Sequence, residues 1–320
     1  MTNQTQIDQL SQDEVVRRQA AGDPFVASYG LGVDSTAGIL ELHEQGIRPD
    51  LILFADVGSE KAATYAYLVT FNAKLRAIGF PTVTVVRYET TDRSGIDPRT
   101  GRTYQDLEGQ CHSTGRLPSL AYGSGKHSCS IKWKAEAQDR FLKTWKPAID
   151  AWANGRQVIK AIFYDCSAAD MKRGTFSTTY QADRYVYAYP LRWFGWVRED
   201  CKAAIRAAGL PVPPKSSCFF CPAMKAQELR DLAVTEPAQF VRAIELEDVA
   251  KFAAEIRIAL GGKASTVELG GLWTLMRPSK NEPTSWRVFA EHEGLLAQAL
   301  QALADQAGPT PLDELLERAA

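Results

Sequence analysis

One short stretch of this 320-residue chain gathers glycines, hydroxyls and an acid: Ser28-Tyr29-Gly30-Leu31-Gly32-Val33-Asp34-Ser35-Thr36. Phe25-Val26-Ala27 before it reads as a strand. Ala37 to Gln45 after it carries apolar residues at helical spacing and is closed by Gly46. The stretch is therefore a strand-to-helix turn. Gly30 and Gly32 allow backbone angles and close approach that a Cβ would forbid. N–H groups at the helix start, with the hydroxyls of Ser35 and Thr36 pointing into the turn, make a phosphate cradle with a helix dipole behind it. The lysine of a P-loop is missing, and so is the third glycine of a dinucleotide fingerprint. Asp34 inside such a loop fits a metal ion that arrives with the phosphate.

Further residues able to do chemistry follow in order. Asp56-Val57-Gly58-Ser59-Glu60 succeeds the apolar run Leu51–Ala55. Asp34 and Asp56 would then stand at adjacent strand ends, where they could share Mg2+; the plainer alternative for the second stretch is an acidic helix cap. Residues 90–128 are rich in Gly, Ser, Thr and Arg and read as a long loop. Its basic set of Arg93, Arg99, Arg102, Arg116, Lys126 and His127 suits a polyanion, or a solvated loop. Among six cysteines, Cys218-Phe219-Phe220-Cys221 has the spacing of a metal-type knuckle. A thioredoxin-like pair is the alternative, but the βαβ context is lacking. Two thiols do not close a metal site, so further ligands are needed.

The elements that must position these residues alternate. Strands are expected at Phe25–Ala27, Leu51–Ala55, Thr82–Val86 and Val158–Tyr164. Helices are expected after the first turn, over Ala62–Ile78, from Cys129 to about Lys146 and over Val197–Ala208. That alternation implies an α/β fold with a doubly wound, mostly parallel sheet, whose ligands bind beyond the carboxyl ends of the strands. A polar lead-in over 1–22, with a short helix around Gln9–Gln19, precedes a nucleotide-type domain over 23–228. The alanine-rich remainder, 229–320, reads as a C-terminal helical extension. It takes Trp273 and Trp286 as core residues and ends in a short amphipathic helix over 308–320. Net charge is −1, so no global pull toward nucleic acid or a membrane surface is implied. With no membrane-length apolar run and no signal-peptide core, a cytoplasmic protein is expected, where cysteines favour metal or redox chemistry over disulfides.

The opening stretch resembles the pyrophosphate loop S-G-G-x-D-S of the adenine-nucleotide alpha-hydrolase superfamily. That group includes the N-type (PP-loop) ATP pyrophosphatases and the phosphoadenosine phosphosulfate (PAPS) reductases. Gly32, Asp34 and Ser35 agree with the motif, while Gly30 replaces its serine and Leu31 its first glycine. Asp56, Gly58, Glu60 and Thr64 are similar to the reductases' D-T-G-x-E segment, with Val57 in place of threonine. Cys129, Ser130 and Lys134 resemble the C-[ST]-x-x-x-K element. In the region of a further family motif, Asp170 stands for an acid and Arg173 for a base. Tyr189-Pro190-Leu191-Arg192-Trp193 is similar to the family's Pro-Leu…Trp segment, and the Cys218–Cys221 knuckle completes the order. The resemblance covers Phe25 to Met224 and is closest to the PAPS reductase-like proteins of phages and bacteria.

What the resemblance implies is a nucleotide enzyme. Ser28, Gly30, Gly32, Ser35, Thr36, Gly58, Glu60 and Lys134 would hold ATP, or alternatively PAPS or APS. Asp34 and Asp56 would hold Mg2+, and Lys132, Lys134 and Arg173 would meet the polyphosphate. Cys129, Cys201, Cys218 and Cys221 would surround an iron–sulfur (4Fe-4S) cluster, with Zn2+ as the alternative. For Cys166 and Cys201 the plainer expectation is a small buried apolar residue. Sulfonucleotide reductases need a nucleophilic cysteine near the C-terminus, yet none follows Cys221. The first expectation is therefore an ATP-using adenylating enzyme serving sulfur transfer to a nucleic acid or small molecule, with a possible sulfur-donor protein as partner. A sulfonucleotide reductase and a nucleotide-binding module without catalysis are the alternatives.

Overall fold

The computed structural model describes residues 10–89, 95–118, 129–173, 183–264, 269–272 and 283–307. The expectations for Arg93, Lys126, His127, Trp273 and the helix over 308–320 lie outside them. The strands in chain order are β1 (Phe25–Ser28), β2 (Leu51–Asp56), β3 (Val83–Arg87), β4 (Ile96–Asp97), β5 (Arg102–Thr103), β6 (Val158–Ala161) and β7 (Tyr185–Ala188). The helices are α1 (Gln12–Ala20), α2 (Val33–Glu44), α3 (Ala62–Ala77), α4 (Leu107–Thr114), α5 (Glu136–Leu142), α6 (Lys146–Ala153), α7 (Ala168–Met171), α8 (Pro190–Trp193), α9 (Arg198–Ala207), α10 (Ala226–Thr235) and α11 (Pro237–Ala259). Trp286–His292 and Leu295–Ala307 are helical as well.

The chain divides into two compact units. The first comprises Met1–Asp56, Ala62–Tyr88 and Trp133–Ser216. Its centre is a five-stranded sheet in the order β3-β2-β1-β6-β7, and every pair is parallel. Val26 pairs with Leu51 and Phe25 with Ile159, so β1 has its successor β2 on one side and the late strand β6 on the other. Every residue of β2 and of β6 is buried, as expected for parallel strands covered on both faces by helices. Helices α2 and α9 pack together, and Cys201 and Ile205 of α9 join the core that contains Ile39 and Leu42 of α2. Gly38 admits the ring of Phe163 against α2: a Cβ there would lie 2.1 Å from Phe163 Cδ1.

Three segments differ from the expectation. Tyr185–Ala188 supplies a fifth parallel strand, too short to stand out by periodicity. The helix expected from Cys129 to Lys146 is a π-helical turn at Ser130–Ala135 followed by α5, and α6 restarts at Lys146 with proline in its first turn. Inside the stretch 90–128 lie the antiparallel hairpin β4–β5 and α4, which Asp106 caps through Gly109 N–H and Gly115 ends in the left-handed conformation.

The second unit comprises Val57–Lys61, Glu89–Lys132 and Ser217–Ala320. In it α11 packs with α4, with α10 and with both final helices. Glu247 of α11 is buried and accepts from Leu272 N (2.7 Å), Ser285 Oγ (2.7 Å), Trp286 N (2.9 Å) and Arg287 N (2.9 Å). Trp286 lies in this core, as expected. Among the described residues no helix is long and apolar enough to cross a membrane.

Candidate functional site

A cleft of about 340 Å3 opens in the first unit where the chain leaves β1 and β6. Because β1 and β6 are the neighbours at which strand order reverses, this is the topological switch point, the place where α/β sheets bind ligands. Gly30, Gly32 and the first turn of α2 form one wall. Tyr164, Asp170 and Arg173 come from the segment after β6. Ser28, Lys134, Arg198, Lys215 and Ser216 line it as well.

The loop achieves its shape differently from the expectation. Gly30 and Gly32 have ordinary backbone angles, and the left-handed residue is Leu31, at φ 57°. Leu31 is fully buried, so its side chain anchors a conformation that costs a non-glycine residue about 1 kcal/mol or more. Gly32 is required for close approach, since a Cβ there would lie 3.0 Å from Ser216 Oγ. No side chain caps Gly32, which leaves the first-turn N–H groups of α2 open to an anion. Ser28 and Ser35 line the cleft, and their hydroxyls also bond within the protein. Ser35 Oγ accepts from Gly30 N (3.2 Å) and donates to Gly32 O (3.3 Å), fastening the loop. Thr36 is buried behind the helix, 3.1 Å from the Tyr29 hydroxyl, and Ser28 donates to Gln138 Oε1 (3.2 Å).

Asp34 is the under-satisfied group of this cleft. Its Oδ2 meets Arg198 Nη2 at 3.0 Å, while its Oδ1 is buried with no hydrogen-bond partner. Burial pushes its carboxyl up to about 6; Arg198 opposes the shift, and nearby Asp165 and Asp170 add to it. Arg173 donates to Asp170 Oδ1 (3.0 Å) and stacks over Tyr164, 4.6 Å from the ring centroid. Tyr164 in turn stacks on Tyr189, whose other neighbour is Arg192 at 4.5 Å. Arg192 Nη2 also donates to Asp170 O (2.9 Å), so Asp170 fixes both guanidinium groups.

The remaining expected residues lie elsewhere. Asp56 does not line the cleft: Oδ1 accepts from Tyr65 (2.6 Å) and Oδ2 from Arg87 (2.8 and 3.0 Å). A cation shared by Asp34 and Asp56 does not fit this arrangement, whereas the bare Oδ1 of Asp34 suits a hard cation such as Mg2+. Gly58, Glu60 and Lys132 belong to the second unit and are not among the cleft lining. There Gly58, at φ 72°, lets Asp106 approach, and buried Glu60 forms a β-bridge with Cys218. Phe219 N donates to Ser59 O (3.0 Å) and Cys221 N to Cys218 O (3.1 Å), so the knuckle is the tight turn its spacing implies.

Cys201, grouped above with Cys129, Cys218 and Cys221, belongs to the first unit and the others to the second. Cys201 is fully enclosed in the α2–α9 core, and burial pushes its thiol up to about 12. It matches the plainer expectation of a small apolar residue. Among the described residues no group of three or more His, Cys, Asp or Glu side chains is gathered to hold a metal ion. Arg198, Tyr164, Lys215 and Ser216 were not singled out from the sequence; no short motif marks them, because the fold brings them to the loop from distant segments.

No family model and no curated protein matches the chain.

Proposed function

We propose that the chain is a nucleotide-using enzyme of the ATP pyrophosphatase type, which adenylates an acceptor and releases pyrophosphate. The observation that supports this reading is the cleft at the switch point between β1 and β6. It joins the uncapped N-terminus of α2 to the cationic side chains Lys134, Arg173, Arg198 and Lys215. Backbone N–H groups aimed at a developing pyrophosphate stabilise it without rearrangement, and the cations neutralise its charge. Asp34 would hold the Mg2+ that accompanies the polyphosphate and screens charge in the leaving group. The Ser35 bonds keep the loop in the shape that receives it.

The acceptor, and transfer of sulfur to it, belong to the same proposal and rest on the resemblance of the loop and the knuckle to PAPS reductase-like proteins. The test is calorimetric titration with ATP and with inorganic pyrophosphate, followed by assay of pyrophosphate release from ATP with bulk nucleic acid and a thiol donor. Binding with release supports adenylation. Binding without release leaves the nucleotide-binding module, and turnover of adenosine phosphosulfate in place of ATP identifies a sulfonucleotide reductase. Absence of binding by either ligand overturns the proposal.

A further inference from the structure

Arg198 differs from the other arginine of the cleft in how it is held. Arg173 is fixed twice, by Asp170 and by the Tyr164 ring. Arg198 stands at the start of α9 with a half-exposed side chain, and among the described residues its ion pair is with Asp34 alone. The guanidinium end of this pair is half exposed and within reach of solvent and of a ligand, while Asp34 is largely buried. The phosphates of a ligand would offer Arg198 a better partner, because guanidinium and phosphate form two parallel hydrogen bonds. Asp34 already keeps one oxygen buried and unpartnered, with Asp165 and Asp170 near enough to bear on its charge. Loss of Arg198 would therefore leave that carboxylate in need of a stronger positive charge.

We propose that Arg198 exchanges partners on ligand binding: it holds Asp34 in the ligand-free cleft, moves to the ligand's phosphate, and so releases Asp34 for the divalent cation that travels with it. Arg198 thereby couples the anion to the cation and keeps either from being bound efficiently alone. This rests on the polyphosphate reading of the cleft.

The experiment measures two ligands separately on wild type, Arg198→Ala and Arg198→Lys: inorganic pyrophosphate by calorimetry, and Mn2+, standing in for Mg2+, by electron paramagnetic resonance. Arg198→Ala is expected to bind pyrophosphate about tenfold more weakly, through loss of a charge-assisted pair. It is expected to bind Mn2+ alone roughly threefold more tightly, because the competing guanidinium is gone. Arg198→Lys, which keeps the charge but not the fork, falls between them on both measures. Weakening of both ligands, or no change in either, overturns the exchange, and circular dichroism of the same samples separates misfolding from lost binding. Wild type that binds no pyrophosphate overturns the polyphosphate reading itself. Wild type that binds it without opposite shifts in the variant overturns the exchange alone.

Discussion

Two carboxylates, one in each unit, meet opposite fates. Glu247 lies inside the helical cluster of the second unit, and backbone N–H groups and a serine hydroxyl converge on both of its oxygens. Asp34 lies in the first turn of α2, with one oxygen on a half-exposed arginine and the other without a partner. Buried polar groups in folded proteins are mostly satisfied, and Asp34 Oδ1 is one of the atoms here that are not, the one among the described residues that lies in the cleft. Glu247 fastens the start of a helix to α11, whereas Asp34 keeps one buried oxygen without a hydrogen-bond partner. The second unit makes the same contrast elsewhere. There Glu108 is clamped between Arg99 (2.7 Å) and Arg242, and Arg99 also grips Asp97, so these two acids are paired within the chain.

The largest effect that would sharpen this contrast is at Glu247. Glu247→Ala strips the acceptor from three buried or half-buried N–H groups and a hydroxyl. A loss of about 3 kcal/mol or more is expected, read by urea unfolding. Asp34→Asn is expected to change stability with the opposite sign. The folded carboxyl binds its proton more tightly than the unfolded one, so its ionisation costs the folded state as pH rises from about 4 to about 6. Above that window Asp34→Asn should be more stable than wild type by about 2 kcal/mol, with the difference gone near pH 4. A destabilised Asn variant at neutral pH would place Asp34 with Glu247 as a structural group.

Gly38→Ala follows, at about 1–3 kcal/mol, since its methyl group must displace the Phe163 ring in the cleft's own wall. Leu31→Gly sets two effects against each other: relief of backbone strain of about 1 kcal/mol offsets only part of the loss of a fully buried side chain. A net destabilisation of about 1–3 kcal/mol is expected in urea unfolding, and pyrophosphate affinity falls because the loop is less fixed. Cys201→Ala is expected to cost about 1 kcal/mol for the apolar volume removed. Iron and zinc content in anaerobic preparations should be unchanged, and a drop would restore Cys201 as a ligand.

Much of the first unit was legible because its signals are local. The runs of β1 and β2, the glycine-marked turn before α2 and the amphipathic spacing of α9 each announce their element within a dozen residues or so. Helix α4 was marked too, by Asp106 and Gly115, but its mixed composition between those caps hides any apolar stripe. The site was legible as a place more than as a set of contacts. That the loop after β1 would face a ligand follows from topology. That Ser35 fastens the loop from within while Thr36 is buried, that Leu31 and not a glycine takes the left-handed angle, and that Arg198 reaches Asp34 all depend on tertiary neighbours. The surroundings of Asp56 were hidden for the same reason, because its partners Tyr65 and Arg87 stand on other elements.

The threading of the two units has a consequence in time. Val57–Lys61 and Glu89–Lys132 are synthesised early, yet their unit is completed only by residues after Ser216. The β-bridge of Glu60 waits for Cys218, and the clamp on Glu108 waits for Arg242. On the ribosome the parallel sheet can close as soon as β7 has emerged, while the hairpin and α4 stay without their lasting neighbours until the final third of the chain arrives. Stalled or truncated nascent chains should therefore show a protease-resistant sheet and cleavable segments around residues 57–61 and 95–118, a pattern that full-length protein loses.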